Sequence, residues 1–277
     1  MTQKPRVIQI DTNEWAFVQP AVLSSEETFL QYTSALNMLD TNDPFAEMML
    51  KAIIKEHPFH LDAYNYLSVA FRNQEKVFES YLVAEKGYRI GKECFPEDFQ
   101  INEAILPYVN SDNRPFLRAC HIWGLELQFN EEFDRAIEIY DQMLQLNPLD
   151  NQGARHLKLE CLFMLKSFAA AKELLESYPS EFSIEFTYGK VFLALIDGDQ
   201  KSAELLLGDA MASNAYLPAE IIKKRHTPPS GFLEEEILAG SRHEAYEYWV
   251  DYAEICIQPA VIEFFERTKP VWSKKKK

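Results

Sequence analysis

Glycine is scarce, with nine residues in a chain of 277. No glycine-rich stretch remains to cradle a phosphate, so the usual sequence mark of a nucleotide loop is missing. Cysteine is equally sparse, and Cys94, Cys120, Cys161 and Cys256 have none of the short spacings of a metal or redox site. Cys120 and Cys161 fall on helix packing positions and read as small buried hydrophobes in a reducing compartment. Basic residues are outnumbered, 28 Lys and Arg against 43 Asp and Glu, for a formal net charge of −15. That field repels phosphate, so nucleic acid and anionic membrane are excluded as general partners. No apolar run approaches the ~20 residues of a membrane-spanning helix. The N-terminus, MTQKPRVIQIDTNEW, has no apolar core for a signal peptide. A soluble cytoplasmic protein is the expectation.

Marks of an enzyme are missing too. His57 and His60 sit in HPFH, three apart, with no third ligand at a metal spacing. Cys120 and His121 are neighbours and point about 100° apart on a helix, too far to make a thiolate–imidazole pair. No Ser-His-acid set stands out. The expectation is no catalytic residue, no cofactor and no metal.

Helical periodicity is what the chain does have. From Leu117 to Pro148 the sequence LRACHIWGLELQFNEEFDRAIEIYDQMLQLNP places Trp123, Gly124 and Leu127 on one helical face. Phe133, Ala136, Tyr140 and Met143 form a second face. Gly124 and Ala136 are small where two antiparallel helices approach, and Pro148 stops the second helix. Through Asp150 this is an αα-hairpin of 34 residues. Gly at the eighth place, Ala at the twentieth, an aromatic at the twenty-fourth and Pro at the thirty-second make it resemble a tetratricopeptide repeat.

The frame recurs. Repeats are expected near residues 27–60, 61–94, 117–150, 151–183 and 184–217, with an insertion at 95–116. Two packing places depart from the pattern: Asn37 stands where an apolar residue belongs, and Lys158 where a small one belongs. The fold class expected is all-α, a right-handed αα-solenoid of about five such hairpins with a C-terminal helical cap over residues 218–277. Residues 1–26 carry Trp15, Phe17, Val18, Val22 and Leu23 without a helical period and are expected to dock on the first repeat. Ser24 with Glu27 reads as a capping box, and Asp43-Pro44 as N-cap and first position of the next helix. The insertion reads as a loop with at most one short helix near Asn102 to Leu106, pinned by Phe95, Phe99 and Phe116 and free to project over a binding face. Gly240-Ser241 with Glu244 opens a late helix, and Lys274 to Lys277 form a solvated tail.

FPEDF, NRPFLRA and LNPLDNQGAR resemble bacterial tetratricopeptide proteins of unassigned function. The stretch from Asn214 and Pro218 through Gly240-Ser241, Glu244-Ala245 and Ala260 is similar to the end of the suppressor-of-tumorigenicity family. Neither resemblance supplies a catalytic residue.

In tetratricopeptide proteins, first-helix places two, five, nine and twelve line a concave groove. By register that stripe is Thr28, Gln31, Ala35 and Met38 in the first repeat; Asp62, Asn65, Val69 and Arg72 in the second; and Arg118, His121, Leu125 and Gln128 in the third. In the fourth it is Gln152, Arg155, Leu159 and Leu162, with His156 beside it, and in the fifth Glu185, Tyr188, Phe192 and Leu195. Asn65, Arg72, Arg118, His121, Gln128, Gln152, Arg155 and His156 are therefore the candidate peptide-binding residues. Arginine grips carboxylate through two bonds, so an extended acidic or carboxylate-bearing peptide is the partner expected. The competing possibility is that these arginines pair with acids of the same chain. The Lys and Asn of the chaperone-binding carboxylate clamp are replaced by Gln31 and Ala35. The apolar fifth stripe is expected to lie under the C-terminal helices. A different class of reading is a structural subunit that self-associates through apolar surface near the cap; oligomeric state and partner identity stay open.

Overall fold

A computed structural model describes residues 4–97, 99–231 and 237–273. The chain forms two compact bodies, Met1–Lys158 and Leu159–Lys277. This division differs from the boundaries at residues 26 and 217 expected from the sequence, and it falls within a helix of the fourth repeat.

The first body holds β1 (Arg6–Gln9), β2 (Trp15–Val18), a 3-10 turn (Ala21–Ser24), α1 (Glu26–Leu36), α2 (Asp43–Glu56), α3 (Leu61–Asn73) and α4 (Val77–Lys92). A second 3-10 turn (Ser111–Asn113), α5 (Arg114–Phe129), α6 (Phe133–Leu146) and the start of α7 (Ala154–Met164) complete it. The second body has the rest of α7, α8 (Phe168–Ser177), α9 (Ile184–Ile196), α10 (Gln200–Ser213), α11 (Leu217–Ile221), α12 (Arg242–Asp251), α13 (Ala253–Cys256) and α14 (Pro259–Trp272).

The hairpins close by one repeated device. Asp40, Glu75, Glu131, Lys166 and Gly198, one in each of the five first-to-second helix turns, have positive φ. Four of these turns also make the same six-residue closure: Lys76 N donates to Phe71 O, Glu132 N to Leu127 O, Ser167 N to Leu162 O and Asp199 N to Ala194 O, at 2.8–2.9 Å. This is the Schellman pattern, which satisfies carbonyls left over at a helix end. Gly198 is the residue type that the left-handed conformation most favours and Asp40 is a tolerated one, while Glu75, Glu131 and Lys166 carry no local sequence signal for it.

Within the hairpins, small residues set the approach. A methyl built at Gly124 would lie 2.5 Å from Tyr140 Cε1. Ser68 stands at the small eighth place of the second repeat, and its hydroxyl meets that of Ser80 at 2.9 Å. The two departures from the pattern have local explanations. Asn37 is the C-cap that ends α1. Lys158 reaches past its packing place to Asp141 Oδ1 at 2.5 Å, keeping its ammonium at the surface.

Three helix starts differ by one residue or more from those expected from the sequence. Ser25, not Ser24, caps α1, its side chain accepting from Thr28 N. Asn42, not Asp43, caps α2 and accepts from Phe45 N, which puts Pro44 second in the helix. α5 begins at Arg114, three residues before the repeat count. Residues 101–103 form a turn, and Ile105 makes an isolated parallel bridge to Glu14.

The leader is an antiparallel hairpin, with Arg6 opposite Val18 and Gln9 opposite Trp15. Its strands pack on the insertion, and the 3-10 turn that follows docks on the first repeat, where Thr28 Oγ1 donates to Val22 O at 2.9 Å. Phe17 stacks on Phe116 with centroids 5.5 Å apart, and Trp15 meets Phe99 edge-on at 5.1 Å. Asn113 ties the insertion to β2: its Oδ1 accepts from Phe17 N at 2.8 Å, and its Nδ2 donates to Trp15 O at 3.2 Å. The insertion does not project. Leu106 is fully buried, and its N–H donates to Leu146 O at 2.7 Å.

In the second body, Tyr188 and Phe192 of the fifth stripe are buried. Both pack against Tyr248 of α12 and Phe265 of α14 at 6.3–6.4 Å. Each such side chain contributes about 1.5–3 kcal/mol on burial. Buried Asn214 fastens the cap: Nδ2 donates to Ser241 O and Glu244 Oε2, Oδ1 accepts from Tyr216 N, and its carbonyl takes the Tyr188 hydroxyl. The Lys274 to Lys277 tail lies outside the described residues.

Helix propensity alone favours Gly124→Ala by about 1 kcal/mol, but overpacking costs about 1–3 kcal/mol. Tyr140 is fully buried, with its hydroxyl held by Gln128 at 2.9 Å. It has little room to retreat, so the variant is expected to unfold at lower urea concentration than the parent.

His60 gives a pH prediction. Its Nδ1 accepts from Ala63 N at 3.1 Å and caps α3. Burial lowers its pKa below the ordinary value of 6.5, against an opposing pull from Asp62. The folded state thus holds the proton less well than the unfolded state. Its contribution is complete above ~6.5 and falls away as pH drops below that value. His60→Asn keeps a capping acceptor without the titration, so its stability should decline less between pH ~7 and ~5 in denaturant titrations.

Candidate functional site

The polar stripe of the first body is held by ion pairs that cross between α3 and α5. Near one end, Arg118 Nε and Nη2 donate to Asp62 Oδ1 at 2.8 Å and Oδ2 at 2.5 Å. Near the other, Arg72 Nε donates to Glu126 Oε1 at 3.1 Å and its Nη2 to Glu126 Oε2. Each helix supplies one acid and one base, in opposite order along its length. Burial alone would lower Arg118, and its bonds to Asp62 outweigh that and raise it. Ser80 Oγ donates to Glu126 at 2.6 Å, and Arg72 lies over the Phe129 ring at 4.7 Å.

Arg155 is committed as well. Its Nη1 donates to Asp150 Oδ2 at 2.8 Å, and the same carboxylate accepts from Ala154 N and Arg155 N at the start of α7. Three guanidinium groups thus face three carboxylates. The expected excess of positive charge along the stripe is corrected by this pairing, which supplies the alternative left open by the sequence.

The other candidates have mixed roles. Asn65 is buried and donates to Asp62 Oδ1 and Pro115 O, so it is a strut of the fold. Gln128 accepts the Tyr140 hydroxyl. Gln152 Nε2 reaches Leu117 O at 3.3 Å and His121 Nδ1 at 3.5 Å, while its Oε1 is buried with no partner. Burial lowers the His121 imidazole, with Asp150 opposing. His156 is half-buried in the first turn of α7 and makes its own contacts within the chain.

Glu126 is the member the sequence missed. It lies at the tenth place of its repeat, one residue beyond the stripe position Leu125. The usable signal was chemical: a carboxylate between Leu125 and Leu127 on a buried helix face needs a partner. It is 3% exposed.

His57 Nε2 contacts Thr28 Oγ1 at 3.3 Å, and His60 caps α3. Burial pushes the Cys120 thiol up to about 12. Among the described residues no cluster of three His, Cys, Asp or Glu is placed to hold a metal. No described helix is long and apolar enough to cross a membrane.

Solved structures with this hairpin arrangement are tetratricopeptide-like. A tetratricopeptide repeat protein from Parabacteroides merdae is 14% identical over 89% of this chain and 80% of its own, with a TM-score of 0.52. A MamA RS-1 double mutant gives 12%, 68%, 94% and 0.52 for the same quantities. The kinesin light chain-like repeats of Podosopora anserina give 16%, 67%, 94% and 0.50. No curated protein matches the sequence. One family description, Tcf25, transcriptional repressor TCF25, matches residues 19–277, nearly the whole length. With five tetratricopeptide-like hairpins and a family match that spans both bodies, the chain belongs to the transcriptional repressor TCF25 family.

Proposed function

We propose that the protein is a protein-interaction scaffold that holds an extended segment of a partner along α3, α5 and the first turn of α7. One observation carries this reading: the stripe is rigidly paired yet keeps unused hydrogen-bonding capacity. Arg72 and Arg118 each spend Nε and Nη2 on a carboxylate, which leaves Nη1 outside the pair. Gln152 Oε1 is an unfilled acceptor. Donors and acceptors in one row suit the alternating N–H and C=O groups of a peptide main chain. Electroneutral pairs favour that mode over selection for negative charge, so the carboxylate-bearing peptide expected from the sequence becomes one permitted ligand among others.

With a net charge of −15, any part in transcriptional repression would run through protein contacts rather than a grip on nucleic-acid phosphates. Cys94, Cys120, Cys161 and Cys256 form no disulfide among the described residues, which suits a reducing compartment, the cytoplasm in this reading. A second reading, self-association, is favoured by exposed Val250, Ile257 and Val271 on the cap helices and their flanks, at 48%, 59% and 60% exposure.

An array of extended peptides, probed with the full chain, tests the first reading. Captured peptides should show no enrichment in Asp and Glu, and His121→Ala with Gln152→Ala should weaken capture by ~10-fold, about 1.4 kcal/mol, at unchanged helicity. Capture of no peptide, or equal capture by the double variant, removes the proposal. Self-association is tested by light scattering across a concentration series, where a mass that stays at 32.2 kDa eliminates it.

A further inference from the structure

We propose that the first body carries a receptor pocket for a phenol, the side chain of a partner's tyrosine, at the head of the α3–α5 stripe. It deepens the scaffold reading and rests on it only for the source of the tyrosine. The pocket is a cavity of about 320 Å³ where the leader, α1, α3, the second 3-10 turn and α5 meet. That is near the lower limit for a ligand site and suits one side chain rather than a cofactor.

Its walls are aromatic. Tyr32 lies 5.2 Å from the His60 ring and 5.9 Å from Tyr66. Phe29 lines the cavity while remaining 59% exposed. A planar ring is the natural guest between such faces.

The polar inventory narrows the guest further. Gln19 Nε2 is buried without a partner. The His60 Nδ1 accepts from Ala63 N, so the neutral ring carries its proton on Nε2, a second donor. Asp62 already accepts from Arg118 Nε, Arg118 Nη2 and Asn65 Nδ2, and its charge is offset by Arg118. Unfilled capacity therefore consists of N–H donors, with the carboxylate of exposed Asp112 as the acceptor on the same lining.

Five guests can be compared on these terms. A carboxylate would meet Asp112 with no free cation to offset it, because Arg118 is neutralised by Asp62. An ammonium could pair with Asp112 but accepts no hydrogen bond, so it leaves the Gln19 and His60 donors unfilled. Phenylalanine leaves the donors unfilled, and the indole of tryptophan is itself only a donor. A tyrosine hydroxyl accepts from Gln19 or His60 and donates towards Asp112, with its ring against Tyr32 and Phe29. A site built to bond a hydroxyl discriminates strongly against the analogue that lacks it.

Saturation-transfer NMR on the full chain tests this with the N-acetyl amides of tyrosine, phenylalanine, glutamate and lysine. The tyrosine probe should receive saturation and the other three little or none. Phe29→Ala should abolish the signal without loss of fold, since Phe29 is largely exposed. Gln19→Leu should bring tyrosine and phenylalanine to parity, a change in selectivity that a merely structural role would not produce. Equal signals for tyrosine and phenylalanine in the parent, preference for the glutamate or lysine probe, no saturation of any probe, or variants that behave as the parent would each overturn the proposal. The His121→Ala, Gln152→Ala variant should keep the tyrosine signal. Loss of pocket binding with array capture intact removes the pocket and leaves the scaffold; the reverse removes the stripe alone.

Discussion

Two guanidinium–carboxylate pairs crossing between α3 and α5 are the constraint on which the first body depends. Each is bidentate, and each has its acid almost fully buried, with Asp62 and Glu126 at 7% and 3% exposure. Pairs of this kind add little net stability against an apolar alternative, yet losing one partner strands a charge and costs several kcal/mol. Their contribution is register. With one acid and one base per helix in opposite order, a slide of α5 by one turn breaks both pairs together.

That fixed register has a functional consequence. A guanidinium pinned through Nε and Nη2 presents Nη1 in one direction, so a ligand meets donors already in place and loses less freedom on binding. The same pairs remove the net positive charge that the arginines would otherwise confer. Position and charge are thus separated: the arginines retain hydrogen-bonding geometry after surrendering electrostatic selectivity.

The leader and the insertion, distant in sequence, solve each other's packing problem. Neither has the helical period to fold alone. Phe17, Phe95 and Phe116 form one aromatic cluster, and Asn113 supplies hydrogen bonds to β2 that a third strand would otherwise provide. This joint structure places Gln19 beside α1 and α3, where it lines the cavity with His60 and Arg118.

Helix-by-helix architecture was legible in the sequence because a period of 3.6 and the spacing of Gly124, Ala136 and Pro148 act locally, within one hairpin. The burial of Tyr188 and Phe192 under a cap was legible for the same reason: an apolar stripe at the end of a repeat series must be covered. Other features were decided only by tertiary structure. The leader's strands have no period of their own and form because the insertion offers them a surface. The partners of Arg72 and Arg118 lie 54 and 56 residues away along the chain, and nothing near an arginine in sequence says which distant carboxylate will neutralise it. Local periodicity sets where helices run; the net charge of a surface is a sum over pairs that exist only after those helices pack.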